Sequence, residues 1–173
     1  MAENLIIPGL GNSGPTHWQS WFEDRLPATH RVGQADWERP VLSDWAAQVH
    51  AAIDTSVGDV WLVAHSFGCL AAVNAGIVRP ERILGALLVA PADPDRFGEP
   101  LALLEESLAF PSIVVTSEND PWVRASTARY WAGQWGSDYV SIGNAGHINV
   151  DSGHGPWPEG MDIFERLKSR AAT

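Results

Sequence analysis

Length, composition and charge narrow the kinds of protein that this chain can be. Its 173 residues predict a single domain, 1–173, with a sizeable core, and a hydrophobic content of 45% is typical of globular rather than disordered proteins. A net charge of −10 argues against nucleic acid and membrane surfaces as partners, because phosphates repel an acidic protein, and the single cysteine excludes an internal disulfide.

The sequence also predicts a cytoplasmic location. Residues 1–4 contain no basic region, and the longest apolar run, 83–90, is far shorter than the ~20 residues of a membrane-spanning helix. The single cysteine, Cys69, suits a reducing compartment and is expected to be a small buried residue. No feature of the sequence indicates an oligomeric state.

Strand-like and helix-like segments alternate along the chain. The predicted strands are residues 5–7, 31–35, a run from 60 to the residue before Ser66, 84–90, 112–117 and 139–142. The predicted helices end near 26, begin at 43, follow Ser66 to 78, and cover 101–108, 122–135 and 161–170. This alternation predicts an α/β fold in which helices cover both faces of about six parallel strands, a three-layer α/β/α sandwich.

Three of these helices have a start signal. Thr16 and Gln19 have the spacing of a capping box, in which each side chain binds the other residue's backbone N–H. Ser43 is a suitable cap for the second helix, and Asp120 before Pro121 matches a cap followed by proline at the first helical position. Taken alone, Asp120 is better explained as such a cap than as part of a site.

The segment around Ser66 has the pattern of a strand, a sharp turn and a helix. An apolar run ends in Ala64-His65-Ser66-Phe67-Gly68, and a second apolar stretch follows at once. A turn this tight requires small residues two positions either side of the serine. Ala64 and Gly68 meet that requirement, with alanine in place of the usual first glycine. The pattern predicts that the turn lifts the Ser66 hydroxyl clear of the sheet.

Residues that suit acyl transfer follow three of the predicted strands. Ser66 comes after the third strand, Asp120 after the fifth and His147 after the sixth, the chain order expected for α/β-hydrolases. Because the carboxyl ends of parallel strands meet at one edge of the sheet, we expect these side chains to lie together. Histidine can take the serine proton near neutral pH, and a buried carboxylate fixes its tautomer. The combination predicts a serine hydrolase with a covalent acyl-enzyme.

Two backbone N–H groups are candidates for an oxyanion hole. The Phe67 N–H follows the proposed nucleophile at a helix N-terminus, where the helix dipole favours negative charge. The Leu10 N–H lies in the glycine-rich loop after the first strand. Together they would hold the negative charge that develops during attack on a carbonyl group.

His17, Trp18 and Trp122 are candidate substrate-binding residues. His17 and Trp18 start a helix beside the proposed oxyanion loop, and closing the pocket is an equally good explanation for them. Residues 91–111 are too few for a large cap, which predicts an open or shallow site suited to small esters and also able to admit a peptide end.

The proposed acid and the proposed base each have a competitor. Glu118 is a second candidate acid, although it is nearer the strand, and His154 is a second candidate base in a glycine-flanked turn. His147 alone is more typical of an ordinary loop residue. His65 is expected to pack beneath the turn rather than take part in the chemistry.

No metal or cofactor is predicted. The sequence contains no His-Glu-x-x-His motif, no cysteine pair and no Gly-x-Gly-x-x-Gly motif, and residues 8–14 are glycine-rich but lack the lysine of a phosphate-binding loop. The expected partner is a small-molecule ester or amide substrate.

At these residues the chain resembles the retinoblastoma-binding protein 9 family of small serine hydrolases. The matching segments are 8–18 with His17-Trp18, 63–68, 117–121, 144–149 and 153–160, and the resemblance covers nearly the whole length of the chain. The resemblance implies a compact α/β-hydrolase sheet without outer strands, a nucleophile at Ser66, an acid at Asp120, and a base at His147 rather than His154. It also implies hydrolysis of esters or amides. The retinoblastoma-docking pattern Leu-x-Cys-x-Glu is absent around Cys69, so that role is not carried over.

Two other classes of protein are alternatives. A non-catalytic interaction module can use the same fold, because fold does not dictate function, but the intact set of serine, histidine and aspartate argues against it. A flavodoxin-like nucleotide binder would reveal itself by a bound flavin.

Overall fold

The computed structural model describes residues 1–171, in which a six-stranded parallel sheet lies between two layers of helices. The strands are β1 (Glu3–Ile7), β2 (Thr29–Arg31), β3 (Val60–His65), β4 (Ile83–Val89), β5 (Ser112–Thr116) and β6 (Asp138–Ser141). Their order is β2-β1-β3-β4-β5-β6, and every neighbouring pair is parallel. The predicted three-layer α/β fold is confirmed. Residues 172–173, included in the predicted domain, lie outside the described residues.

Two apolar layers cover the sheet. Within residues 1–171 the α-helices are α1 (Trp18–Arg25), α2 (Leu42–Thr55), α3 (Phe67–Val78), α4 (Ala125–Trp135) and α5 (Pro158–Ala171). Successive strand residues face opposite layers, so Leu5 and Ile7 pack with α2, α3 and α4, whereas Ile6 packs with α1 and α5. Burial on both faces explains the continuous apolar runs of the central strands. In this part of the chain, no helix is both long and apolar enough to cross a membrane.

The central helix, α3, is buried around most of its circumference. Small residues, among them Cys69, Ala71 and Ala72, let it lie close to the sheet and to α2. Cys69 is fully buried, as expected, and its thiol donates a hydrogen bond to the Val89 carbonyl at 3.4 Å. Burial raises the pKa of this thiol well above its ordinary value.

The start of α1 differs from its predicted capping box. His17 is the N-cap, and its Nδ1 accepts a hydrogen bond from the Gln19 N–H at 3.0 Å. The Gln19 side chain points into the core, where its Nε2 donates to the carbonyl oxygens of Ile7 and Val63. Buried carbonyl groups need a donor, and satisfying two of them outweighs one exposed cap. The prediction of a capping box between Thr16 and Gln19 is therefore wrong.

The predicted cap of α2 is also wrong. The helix begins at Leu42, whose N–H donates to Glu99 Oε1 at 3.0 Å, and Ser43 is exposed without a capping bond. A carboxylate at a helix N-terminus is favoured by the helix dipole, so a distant loop performs the function that a local serine was predicted to perform.

The region before α4 is a turn rather than the predicted start of a helix. The helix begins at Ala125, and Asp120 Oδ1 accepts a hydrogen bond from the Trp122 N–H at 2.9 Å. Asp120 therefore does not cap α4; one carboxylate oxygen closes this turn, and the other remains available for a second partner.

Other boundaries move by a few residues. β2 lies at Thr29–Arg31 rather than 31–35, and only a 3₁₀ turn at Leu101–Leu103 forms within the predicted helix 101–108. α5 begins at Pro158 rather than 161, consistent with the preference of proline for the first turn.

Candidate active site

Ser66 lies at the apex of a strained turn between β3 and α3. Its backbone has φ 55° and ψ −124°, a region that side-chain-bearing residues rarely adopt, at a cost of about 1–3 kcal/mol. Backbone hydrogen bonds hold the turn: Ser66 N–H donates to the Val89 carbonyl at 3.0 Å, and the Ser66 carbonyl accepts from Cys69 and Ala92. The residues of this turn, 64–68, are called the Ser66 turn.

Two glycines let the loop after β1 lie directly against the Ser66 turn. A Cβ on Gly68 would be 2.3 Å from the Ile7 carbonyl oxygen and 2.5 Å from that of Pro8. A Cβ on Gly9 would be 2.9 Å from Ser66 Cβ. β1 and β3 are neighbours at the point where the strand order reverses, the place where ligand crevices form in open α/β sheets.

Ser66, His147 and Asp120 form a continuous chain of hydrogen bonds. His147 Nε2 is 3.0 Å from Ser66 Oγ, and His147 Nδ1 is 2.8 Å from Asp120 Oδ2. The side chains of His147 and Asp120 are 11% and 1% exposed, so both are shielded from solvent. With the Nδ1 proton donated to the carboxylate, Nε2 is free to accept the serine proton, which is the arrangement that activates a serine for nucleophilic attack.

His147 belongs to a long irregular segment, residues 143–157, called the histidine loop. Two side chains from distant parts of the chain hold its backbone: Trp18 Nε1–H donates to the Ile148 carbonyl and His65 Nε2–H to the His147 carbonyl, both at 2.9 Å. From the end of β5, Ser117 Oγ accepts from the Ala145 N–H at 2.9 Å.

Asn119 adds a fourth support to the histidine loop. Its Oδ1 accepts from the Gly146 N–H at 2.8 Å. Asn119 immediately precedes Asp120, so this short segment holds both the carboxylate and the neighbouring loop. Sequence reasoning missed these supporting roles; the one available signal was the run of polar residues directly after a buried strand.

The competing acid and base lie apart from Ser66. Glu118 is exposed and accepts a hydrogen bond from the Ser141 hydroxyl, while His154 Nδ1 bonds to Ser152 Oγ at 2.9 Å. The structure therefore brings His147 and Asp120, rather than His154 and Glu118, to the serine.

A pocket of about 720 Å³ opens at Ser66. Residues that line it include Gly9, Leu10, His17, Phe97, Trp122, His147 and Val150. Trp122 is exposed at its rim, whereas Trp18 is fully buried against Phe22 and Trp157 and does not reach it. Trp18 is thus a core residue and not the substrate contact proposed from sequence, because consecutive residues at a helix start face different directions.

Of the two candidate oxyanion donors, Leu10 lines the pocket with Ser66 and Phe67 directly follows Ser66. Within residues 1–171, neither the Leu10 N–H nor the Phe67 N–H has a protein acceptor, and Phe67 is the first residue of α3. Unpaired N–H groups at a helix N-terminus are suited to an anionic oxygen.

Two further histidines, His17 and His65, line the pocket, and their surroundings favour the neutral form of each ring. Burial, followed by the charges of Arg31, His147 and His154, lowers the pKa of His17 to about 4. Burial, followed by the charges of His147 and His17, lowers the pKa of His65 well below its ordinary value. Within residues 1–171, no three histidine, cysteine or acidic side chains are grouped as metal ligands.

Comparison with known proteins identifies a family. A family model described as "Serine hydrolase" matches residues 4–166. Among curated proteins, none matches the sequence significantly.

Solved structures extend this comparison. A protein from Pectobacterium atrosepticum described as a YdeN-like hydrolase has 35% identity and a TM-score of 0.94, over 99% of this chain and 92% of that one. The ydeN gene product of B. subtilis has 22% identity and a TM-score of 0.80, over 98% of this chain and 100% of that one. Est1E from Butyrivibrio proteoclasticus, solved with ferulic acid, has 16% identity and a TM-score of 0.75, over 98% and 87%. The latter two likenesses are of fold alone.

Proposed function

The chain belongs to the serine hydrolase family, and on that premise we propose that it cleaves small carboxylic esters through a covalent acyl-enzyme on Ser66. The observation that carries the proposal is the unbroken hydrogen-bond path from Ser66 Oγ through His147 to the buried carboxylate of Asp120. An isolated serine hydroxyl is a weak nucleophile, and this path supplies the base that it needs.

The reaction follows from the positions of these groups. His147 Nε2 takes the Ser66 proton as Oγ attacks the ester carbonyl, and the carbonyl electrons move to its oxygen. As the carbon–oxygen bond to the alcohol breaks, His147 returns the proton to the departing oxygen, leaving an acyl-enzyme. A water molecule then attacks the acyl-enzyme in the same way, with His147 again taking and returning a proton, and the carboxylic acid is released from Ser66. Asp120 holds the imidazole in the required tautomer and stabilises its protonated form.

The Leu10 and Phe67 N–H groups are proposed to bind the oxyanion. Their lack of protein acceptors supports this role, as do the place of Leu10 in the pocket lining with Ser66 and of Phe67 directly after Ser66. In serine hydrolases, loss of one such donor costs ~3 kcal/mol of transition-state stabilisation.

The pocket supports small substrates with an apolar part. Leu10, Phe97, Trp122 and Val150 supply apolar surface close to Ser66. Amides and aminoacyl or peptide ends are included in the proposal, since the same chemistry cleaves them. His17 and Trp122 are proposed substrate contacts.

The narrower features of the protein belong to the same proposal. The motifs at 8–18 and 144–149 support membership of the retinoblastoma-binding protein 9 family, and the length supports a single domain, 1–173. The single cysteine supports a cytoplasmic location.

A fluorophosphonate probe tests the proposal, because it reacts with activated serines. We expect stoichiometric labelling of Ser66 in the wild type and none in Ser66→Ala, together with hydrolysis of p-nitrophenyl esters by the wild type alone. Ser152→Ala is a matched control, since Ser152 also lies beside a histidine, His154; its labelled peptide should still contain Ser66. A folded wild type that neither labels nor hydrolyses esters would instead support a non-catalytic interaction module.

A further inference from the structure

The imidazole of His17 has one nitrogen fixed and one unused. Its Nδ1 accepts the Gln19 N–H at 3.0 Å, so the proton of the neutral ring must lie on Nε2. His17 lines the pocket, and within residues 1–171 its Nε2 has no protein partner. The ring therefore offers a single hydrogen-bond donor to whatever occupies the pocket.

The ring keeps this state across neutral pH. The rings of Trp18 and neutral His65 pack against it. Burial, followed by the charges of Arg31, His147 and His154, lowers its pKa to about 4. Because the Nδ1 lone pair is engaged, His17 cannot act as a base; it can only donate.

The position of the ring indicates which part of a substrate it meets. The His65 ring contacts the rings of both His17 and His147, with ring centroids 4.9 Å from each. All three histidines line the pocket, so His17 and His147 lie on the side of it that His65 forms. Since His147 must return a proton to the departing oxygen, the leaving group lies on this side.

We propose that His17 donates its Nε2 hydrogen to the leaving-group portion of the substrate and selects alcohols that carry a neutral acceptor oxygen near the scissile bond. The inference rests on the proposed ester hydrolysis. The enzyme would thereby distinguish esters of hydroxylated alcohols, such as diols and polyols, from esters of plain alkyl alcohols of the same size.

Two esters with the same acid test this selectivity. 2-Hydroxyethyl butyrate and propyl butyrate have leaving groups of equal size, and only the first has a terminal oxygen. Both form the same butyryl-enzyme, so the ratio of their kcat/KM values reports acylation alone. The wild type should prefer the hydroxyethyl ester by about tenfold, the effect of one hydrogen bond.

Two variants separate the donor from the helix cap. His17→Asn retains an oxygen near the Nδ1 position, which can cap α1, but lacks a donor at the Nε2 position. His17→Gln reaches the Nε2 position with an amide N–H but loses the cap. We expect the preference to fall to about one in His17→Asn and to survive in part in His17→Gln, while Tm ranks the two variants in the opposite order.

The possible results distinguish a failure of the role proposed for His17 from a failure of the proposed ester hydrolysis. An unchanged preference in His17→Asn, or a loss that follows Tm in both variants, would overturn the role of His17. If the wild type hydrolyses neither ester and Ser66 does not label, the proposed function fails. In that case NMR titration of Ser66→Ala, with and without His17→Asn, decides the inference: tighter binding of the hydroxyethyl ester that His17→Asn abolishes supports it, and equal affinity for the two esters, or a preference that survives His17→Asn, overturns it.

Discussion

The Ser66 turn and the histidine loop meet at two hydrogen bonds, from Ser66 and His65 to His147, but are built differently. Backbone groups hold the Ser66 turn, and its small residues lie within five positions of one another. The histidine loop contains only a short 3₁₀ turn, Val150–Ser152, and depends on individual side chains from far along the chain, including Trp18 and His65. The turn is therefore sensitive to added volume, and the loop to the loss of single donors.

The largest effect should come from the carboxylate that orients the histidine loop's imidazole. Asp120→Asn retains the shape of the side chain but favours the wrong tautomer of His147, and we expect kcat to fall by about 10⁴. Steady-state kinetics with a p-nitrophenyl ester measures it. Glu118→Gln is the matched control and should change kcat by less than about twofold, because surface substitutions away from a site have small effects. Equal losses in both variants would contradict the role of Asp120.

An added side-chain atom in the Ser66 turn should destabilise the fold through a steric clash. Gly68→Ala places a methyl group within 2.3 Å of the Ile7 carbonyl oxygen, and we expect the free energy of unfolding to fall by roughly 3–5 kcal/mol. Urea denaturation measures the change. Gly133→Ala in α4, where a Cβ meets no atom within 4 Å, should instead stabilise the protein by up to about 1 kcal/mol. A stable Gly68→Ala protein would refute the close approach of β1.

The histidine loop should loosen when one donor is removed. Trp18→Phe leaves the buried Ile148 carbonyl without its hydrogen bond, and we expect a loss of about 2 kcal/mol in unfolding free energy together with a lower kcat.

Trp157→Phe is the control for this substitution. It makes the same change in ring size in the same cluster, but Trp157 Nε1 is a buried atom that has no hydrogen-bond partner within residues 1–171. Denaturation and kinetics on both variants test the prediction. An equal loss of kcat in Trp157→Phe would attribute the effect to packing instead.

The smallest effect is a dependence of stability on pH that arises beside the histidine loop. The pKa of His17 is about 4 in the folded protein and ordinarily 6.5, so between these values the unfolded chain binds a proton that the folded one does not. Stability is therefore complete above the higher value and is lost as pH falls toward the lower one. From about pH 6.5 to pH 5.5, the wild type should lose about 1 kcal/mol more than His17→Asn. Parallel losses in urea titrations would contradict this.

The same comparison explains what the sequence could predict. Ala64, Ser66 and Gly68 specify their turn locally, and residues after parallel strands must meet at one edge, so the positions of Ser66, Asp120 and His147 follow from strand order. The alternation of strands and helices likewise predicts the three layers.

The predictions that failed concern side chains with distant partners. Gln19 matched a capping box, but its amide instead bonds two buried carbonyls, one of them at Val63. Glu99 caps a helix 57 residues away, and Trp18 reaches across 130 residues to Ile148. Such contacts depend on the completed packing, so local spacing does not reveal them.

Burial of Cys69 has a practical consequence. Only a thiolate reacts readily with maleimides, and this thiol is both inaccessible and held protonated, so the folded protein should resist thiol-directed dyes. It is the sole cysteine of the chain. A variant such as Val57→Cys, at a highly exposed position, would thus accept one fluorophore at one known place, without prior removal of a native sulfhydryl.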